Sequence, residues 1–279
     1  WNEYRVKEPF IRLSYFRSAI INISCVSVLV SGMGMFGGSL VLPIFFQTVL
    51  GYSASVSGFL LSPLIVSVAL ASIVGGAVMS SSKRYKLLLL AGLSFMAAGT
   101  IMLSFPQARV SFVYVIFCLL FASFGLGLIL PVYTVVIQNS VSQEEIGAVT
   151  GFSQFFRSVG GTLGVALSGA VITAIYANSI AELVDLDGPP YAQFNLVMDN
   201  PLDPVRMRQA LLSCPNLSGT SVDWILQHAS QTLALAISDI FRTYGMLLVA
   251  TVALNLFLAE LPLRETSRLS SDRQESVSG

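Results

Sequence analysis

Between Arg17 and Lys83 the chain reads SAIINISCVSVLVSGMGMFGGSLVLPIFFQTVLGYSASVSGFLLSPLIVSVALASIVGGAVMSSS, residues 18–82, without one charged side chain. A helix rises about 1.5 Å per residue, so about 20 apolar residues cross a hydrocarbon core of about 30 Å. The run is long enough for two crossings, and Leu50-Gly51-Tyr52-Ser53 supplies a turn between them. Buried helices of a soluble protein would carry charged outer faces, and these have none.

The pattern continues along the chain. Residues 87–108, 110–143, 146–156 with 158–181, and 243–259 also lack Lys, Arg, Asp and Glu. Spans are expected near 19–46, 55–79, 87–105, 112–137, 147–176 and 242–261. The fold class is therefore an all-α membrane protein with six transmembrane helices in one bundle. Apolar residues make up 54% and charged ones 11%, against about 25% charged in a soluble domain. The formal net charge is zero, which gives nucleic acid no electrostatic purchase. The partner that composition demands is the lipid bilayer.

Of 15 Lys and Arg, ten fall on one side: Arg5, Lys7, Arg12 and Arg17, then Lys83, Arg84 and Lys86, then Arg264, Arg268 and Arg273. The positive-inside rule places that side, and both ends of the chain, in the cytoplasm of a multi-pass protein of the cell (inner) membrane. Residues 1–18 then form a cytoplasmic linker, 19–263 the bundle and 264–279 a cytoplasmic tail. Segment 177–241, with seven acids and five prolines, reads as a large external loop. Its part from Val222 to Phe241 reads as an amphipathic helix at the interface, anchored by Trp224. The chain opens on Trp1 without a charged n-region, apolar h-region and cleavage site, so no signal peptide is expected and the true N-terminus is expected to lie upstream.

Several chemistries find no residues here. Cys25 and Cys118 fall inside spans and Cys214 in the loop, which predicts neither a disulfide framework nor a zinc site. No cofactor motif, Ser/His/Asp set, Walker-type loop or paired buried carboxylate is present, so no enzyme is expected. No acid is expected within a span interior, Glu260 falling at the cytoplasmic end of the last span, and the one histidine, His228, belongs to the loop. A membrane-buried proton carrier must then come from elsewhere.

An internal repeat is visible. Leu40-Val41-Leu42-Pro43, Gln47 and Ser57-Gly58-Phe59 return as Leu128-Ile129-Leu130-Pro131, Gln138 and Thr150-Gly151-Phe152, with 88 residues between the prolines and 93 between the glycines. Three spans separate the copies, so the second crosses in the opposite sense, the arrangement of a 3+3 inverted repeat. Small residues mark packing faces: Gly34 and Gly38 in span one, Gly160 and Gly164, followed by Ser168, in span five. Pro43, Pro63 and Pro131 each remove a backbone donor that the surroundings must replace.

Arg157 lies about ten residues into span five. An arginine near the bilayer centre costs on the order of 3 kcal/mol, so it is expected to face the bundle or a wet cavity. Gln154 precedes it on the same helical face. Two readings stay open for Arg157: a group that binds polar atoms on a translocation path, or a structural cation that reaches the headgroups.

The run Leu42-Pro43-Ile44-Phe45-Phe46-Gln47-Thr48-Val49-Leu50-Gly51-Tyr52-Ser53, with Ser57-Gly58 and Leu61-Ser62-Pro63, resembles the fourteen-span drug:proton antiporters of the major facilitator superfamily. So do Gly151-Phe152-Ser153, the run Arg157-Ser158-Val159-Gly160-Gly161-Thr162-Leu163-Gly164-Val165-Ala166 and the ending Leu261-Pro262-Leu263-Arg264. The resemblance covers nearly the whole chain and aligns it with the last six spans. It implies proton-coupled export of hydrophobic or cationic compounds by alternating access, with an N-terminal transmembrane bundle as the missing partner. It also implies that spans one, two, four and five border the cavity, which makes Met33, Phe36, Phe124, Tyr133, Gln154 and Arg157 the lining candidates. The loop Ser80-Ser81-Ser82-Lys83-Arg84-Tyr85-Lys86 departs from the family by lacking an acid. A six-span channel or scaffold associating through glycine stripes, and a metabolite exporter of the same fold, are the alternatives.

Overall fold

The computed structural model describes residues 15, 17–82, 85–105, 112–187, 208–209, 212 and 219–258. Among the described residues six long helices form the bundle: α1 (Ala19–Ile44), α2 (Ala54–Ser82), α3 (Tyr85–Leu103), α4 (Phe112–Asn139), α5 (Ile146–Asp187) and α6 (Gly219–Leu256). Each has the length and apolarity to cross a membrane. Lys83, Arg84, Cys214 and the expected tail 264–279 lie outside the described residues, as does all of the linker 1–18 except 15, 17 and 18.

Local chemistry sets the helix ends. The Ser18 hydroxyl accepts from the Ile21 amide at the start of α1. Past Pro43, α1 loosens into a π-helical turn, Phe45–Val49, and the chain reverses at Gly51, whose φ of 72° suits a residue without a Cβ. Ser142 and Glu145 form a capping box ahead of α5. The Lys86 ammonium donates to the Leu256 carbonyl at 2.7 Å, placing a cation on the negative end of α6.

The last two helices are longer than the sequence reading allows. Segment 177–241 is not loop throughout, because α5 runs on to Asp187 and α6 already begins at Gly219. The expected interfacial helix is thus the first half of a single rod of 38 residues, about 57 Å long. Charge patterning measures where apolar length ends, whereas backbone hydrogen bonding carries a helix straight on into water. Asp239 and Arg242 therefore fall at mid-helix, where they pair at 2.8 Å. Arg208 and Asp223 make a second exposed pair at 3.0 Å.

The most extensive packing joins α1 with α5, α3 with α4, and α2 with α4. Glycines set these crossings. A Cβ on Gly32 would meet the Arg157 carbonyl, and one on Gly164 would meet that of Met33. Likewise a Cβ on Gly127 would meet the Val68 carbonyl, and one on Gly75 that of Leu128. The two sets are related. Gly32 and Met33 of α1 correspond to Gly127 and Leu128 of α4, 95 residues later, while Val68 and Gly75 of α2 correspond to Arg157 and Gly164 of α5, 89 residues later. The α1/α5 and α2/α4 pairs are therefore copies under the inverted repeat. The register differs from the 88 residues that separate Pro43 and Pro131, because the duplicated feature is the close backbone crossing and not the proline.

Gly160 and Gly164 press against Leu29 and Met33 of α1, and Ser168 is buried beside Tyr244. This stripe is thus used inside the bundle, against α1 and α6. Gly34 and Gly38, expected to pack in the same way, have looser surroundings: the nearest atoms to a built Cβ are Met96 Cε at 3.2 Å and Phe241 Cε1 at 3.9 Å. The tight contacts of α1 fall to Gly32 and Gly37, the latter beneath the Tyr244 hydroxyl.

Two of the three helix prolines are compensated by serines. Pro131 deprives the Gly127 carbonyl of its helical donor, and Ser72 of α2 donates to that oxygen at 3.0 Å. Pro63 does the same to Phe59, and Ser62 donates there at 2.7 Å. Most other hydroxyls bond to carbonyls of their own helix, as Ser27, Ser31 and Thr100 do, which lets polar residues sit in oil at little cost.

A candidate substrate cavity

Burial is uneven across the bundle. Helix α2 is the most exposed, followed by α5, and large apolar side chains such as Phe59, Ile65 and Ile73 stand 70% or more exposed along α2. Because α2 and α5 are the pair exchanged by the inverted repeat, the exposure is symmetrical.

Arg157 occupies the inner flank of α5. Gly32 allows the Arg157 backbone to lie against α1, and the half-buried side chain enters a small pocket of about 10 Å3 between α1, α4 and α5. Ser31, Met35, Leu130 and Tyr133 share its walls. The Arg157 Nε is buried and has no hydrogen-bond partner, and no acidic side chain pairs with it among the described residues. A guanidinium in that state is ready to bind an acceptor or an anion. The volume is about that of one water molecule. Of the six lining candidates, Tyr133 and Arg157 are the two that meet at one pocket.

Tyr133 is held from behind. Its hydroxyl donates to Asn255 Oδ1 at 3.0 Å, and Asn255 Nδ2 donates to Ser27 Oγ at 2.7 Å and to the Thr251 carbonyl at 2.8 Å. One amide therefore ties α6 to α1 and α4 in the buried core. Sequence reading passed over Asn255, although its signal was present: it is the only amide side chain in the uncharged run 243–259. A second buried link runs from the Ser168 hydroxyl to Tyr244 and on to the Gly164 carbonyl, at 2.7 and 2.8 Å.

The other candidates separate. Gln154 is exposed on α5, one turn from Arg157. Phe36 is exposed on α1, with its ring over Gly161. Met33 faces a cleft of about 300 Å3 between α1, α5 and α6. Phe124 packs edge-on against Phe95 of α3 at 5.9 Å, within an aromatic group that includes Phe121. A further apolar cavity of about 260 Å3 opens between α1, α2 and α4, and none of the six lines it. No cluster of three or more potential metal ligands occurs among the described residues.

Comparison with known proteins agrees with this architecture. The sequence model of the Major Facilitator Superfamily matches residues 2–165. The chain is 30% identical to the multidrug transporter protein MdtP of Bacillus subtilis, over 98% of this chain and 52% of that protein. It is 27% identical to a tetracycline resistance determinant of Streptomyces rimosus, over 99% and 82% respectively. Against multidrug resistance protein 3 of Bacillus subtilis it is 22% identical, over 96% and 51%. The chain thus spans about half the length of two of these relatives. Six apolar helices, an inverted repeat and a family match over more than half its residues place the chain in the Major Facilitator Superfamily.

Proposed function

We propose that this chain is the C-terminal bundle of a proton-coupled secondary transporter that exports hydrophobic or cationic drugs by alternating access. The observation that carries the reading is Arg157, a cation held inside a span with no counter-charge among the described residues. An uncompensated arginine at that depth is retained where it faces a wet pathway and charges beyond its own bundle. Its counterpart would be a carboxylate of an N-terminal bundle, docked against the exposed flanks of α2 and α5.

In this mechanism the α1/α5 and α2/α4 pairs move as rigid units, since their backbones touch at glycine crossings. Rocking of the two bundles opens the Arg157 side to the cytoplasm and to the outside in turn. Protonation of the opposing carboxylate releases Arg157 to bind substrate or solvent, and deprotonation recaptures it. The basic end, where Arg17 and Lys86 lie, faces the cytoplasm. The relatives named for multidrug and tetracycline resistance support drugs as the cargo.

The test is ethidium efflux driven by a pH gradient, in cells expressing the gene with its upstream sequence. Arg157→Ala should lower efflux by at least about tenfold while the amount of protein in the membrane stays unchanged, and Arg157→Lys should restore part of it. Full efflux by Arg157→Ala would return Arg157 to a structural role and remove the main support for the reading.

A further inference from the structure

The cavity of about 260 Å3 between α1, α2 and α4 serves none of the roles assigned above. Its mouth is marked by exposed side chains of two helices, Met35 and Ser39 of α1 and Ile65 of α2. Its floor is made by buried Leu126 and Phe241, with Met96 of α3 behind. Two flexible thioethers and an aromatic edge suit an aromatic guest, since sulfur packs favourably against ring edges and adapts its shape. The volume sets the size. An engineered apolar cavity of about 150 Å3 holds benzene, and this one is large enough for two fused rings.

One polar group faces the space uncommitted. Thr100, also on the wall, spends its hydroxyl on the Met96 carbonyl at 2.7 Å. The hydroxyl of Ser123, a buried residue, has no hydrogen-bond partner among the described residues. That hydroxyl is not sealed off in the packed core, so it is free to donate to an acceptor that enters the cavity. No acidic side chain lines the cavity, and it shares Met35 and Leu126 with the pocket of Arg157, so the nearest ionised group across that wall is positive.

We infer that this cavity is a binding site for an uncharged two-ring aromatic compound whose single oxygen accepts a hydrogen bond from Ser123. The site lies within this bundle and excludes aromatic ammonium compounds, which would be left without a counter-charge. The inference rests on the exporter reading for its biological use and narrows it, by giving neutral aromatic cargo a place apart from cations.

The probe is 6-fluoro-2-naphthol, its 19F resonance followed with the chain in lipid nanodiscs and with empty nanodiscs as the measure of partitioning. Saturable binding that unlabelled 2-naphthol displaces is expected. Gly38→Leu, which fills the cavity from α1 where a Cβ meets nothing nearer than 3.9 Å, should abolish it while helicity stays unchanged. Ser123→Ala should weaken it about fivefold, the share of one hydrogen bond, and 2-naphthylmethylammonium should compete at least about tenfold less well than 2-naphthol. Partitioning without saturation, undiminished binding by helical Gly38→Leu, or equal competition by the ammonium compound would each overturn the inference. Ethidium efflux keeps the two proposals apart. Naphthol binding in a protein that moves no ethidium leaves the site standing and removes the exporter, and efflux without naphthol binding does the reverse.

Discussion

Ser72 illustrates how single side chains are constrained in oil. Its hydroxyl reaches the one carbonyl that Pro131 strips of a donor, so the serine and the proline form a functional pair 59 positions apart. Ser72→Ala should lower thermal stability in detergent by about 1 kcal/mol, and Pro131→Ala, which restores the missing N–H, should make the Ser72→Ala loss disappear. A double-mutant cycle of melting temperatures checks this, and simple additivity would refute the pairing. Asn255 makes a parallel case. Replacing it with Ala removes the partners of Tyr133 and Ser27 together, so a cost of about 2 kcal/mol is expected in the same assay. At this scale the sequence was legible wherever a residue type is rare in a membrane, as with Arg157. It was silent on Ser72, because serines are common in spans, and although Asn255 stands out as the lone amide of its run, only geometry names the partners of either.

At the scale of elements, the glycine crossings decide which helices touch. Gly164→Ala pushes a methyl into the backbone of α1, whereas Gly151 and Gly169 on the same helix face open space. The expected result is a loss of about 1–3 kcal/mol for Gly164→Ala and, for Gly151→Ala, no loss or a gain of up to about 1 kcal/mol from helix propensity. Equal melting temperatures for the two variants would mean that the α1/α5 crossing does not hold the bundle. Helix identity was readable from uncharged length alone. Helix ends and packing partners were not: α5 and α6 outrun their apolar stretches, and Gly34 and Gly38 look no different in sequence from Gly32 and Gly37, which carry the contacts.

At the scale of the whole molecule, the basic end defines the proposed orientation. Gln227 and Glu144 are both exposed, at opposite ends of the bundle. With Cys214 replaced by Ser and Cys25 and Cys118 left buried, a cysteine at Gln227 should react with an impermeant maleimide in intact cells and one at Glu144 should not. The reverse labelling would invert the proposed topology. Span number, membrane residence and the presence of a repeat follow from sequence alone, because the cost of placing charge in hydrocarbon is written residue by residue. The register of that repeat, the pairing of Ser72 with a proline's orphaned carbonyl, the meeting of Tyr133 with Arg157 and the cavity beside Ser123 were decided by tertiary structure. Each depends on which backbones approach within contact distance across a crossing, and a uniformly apolar sequence leaves that choice to packing.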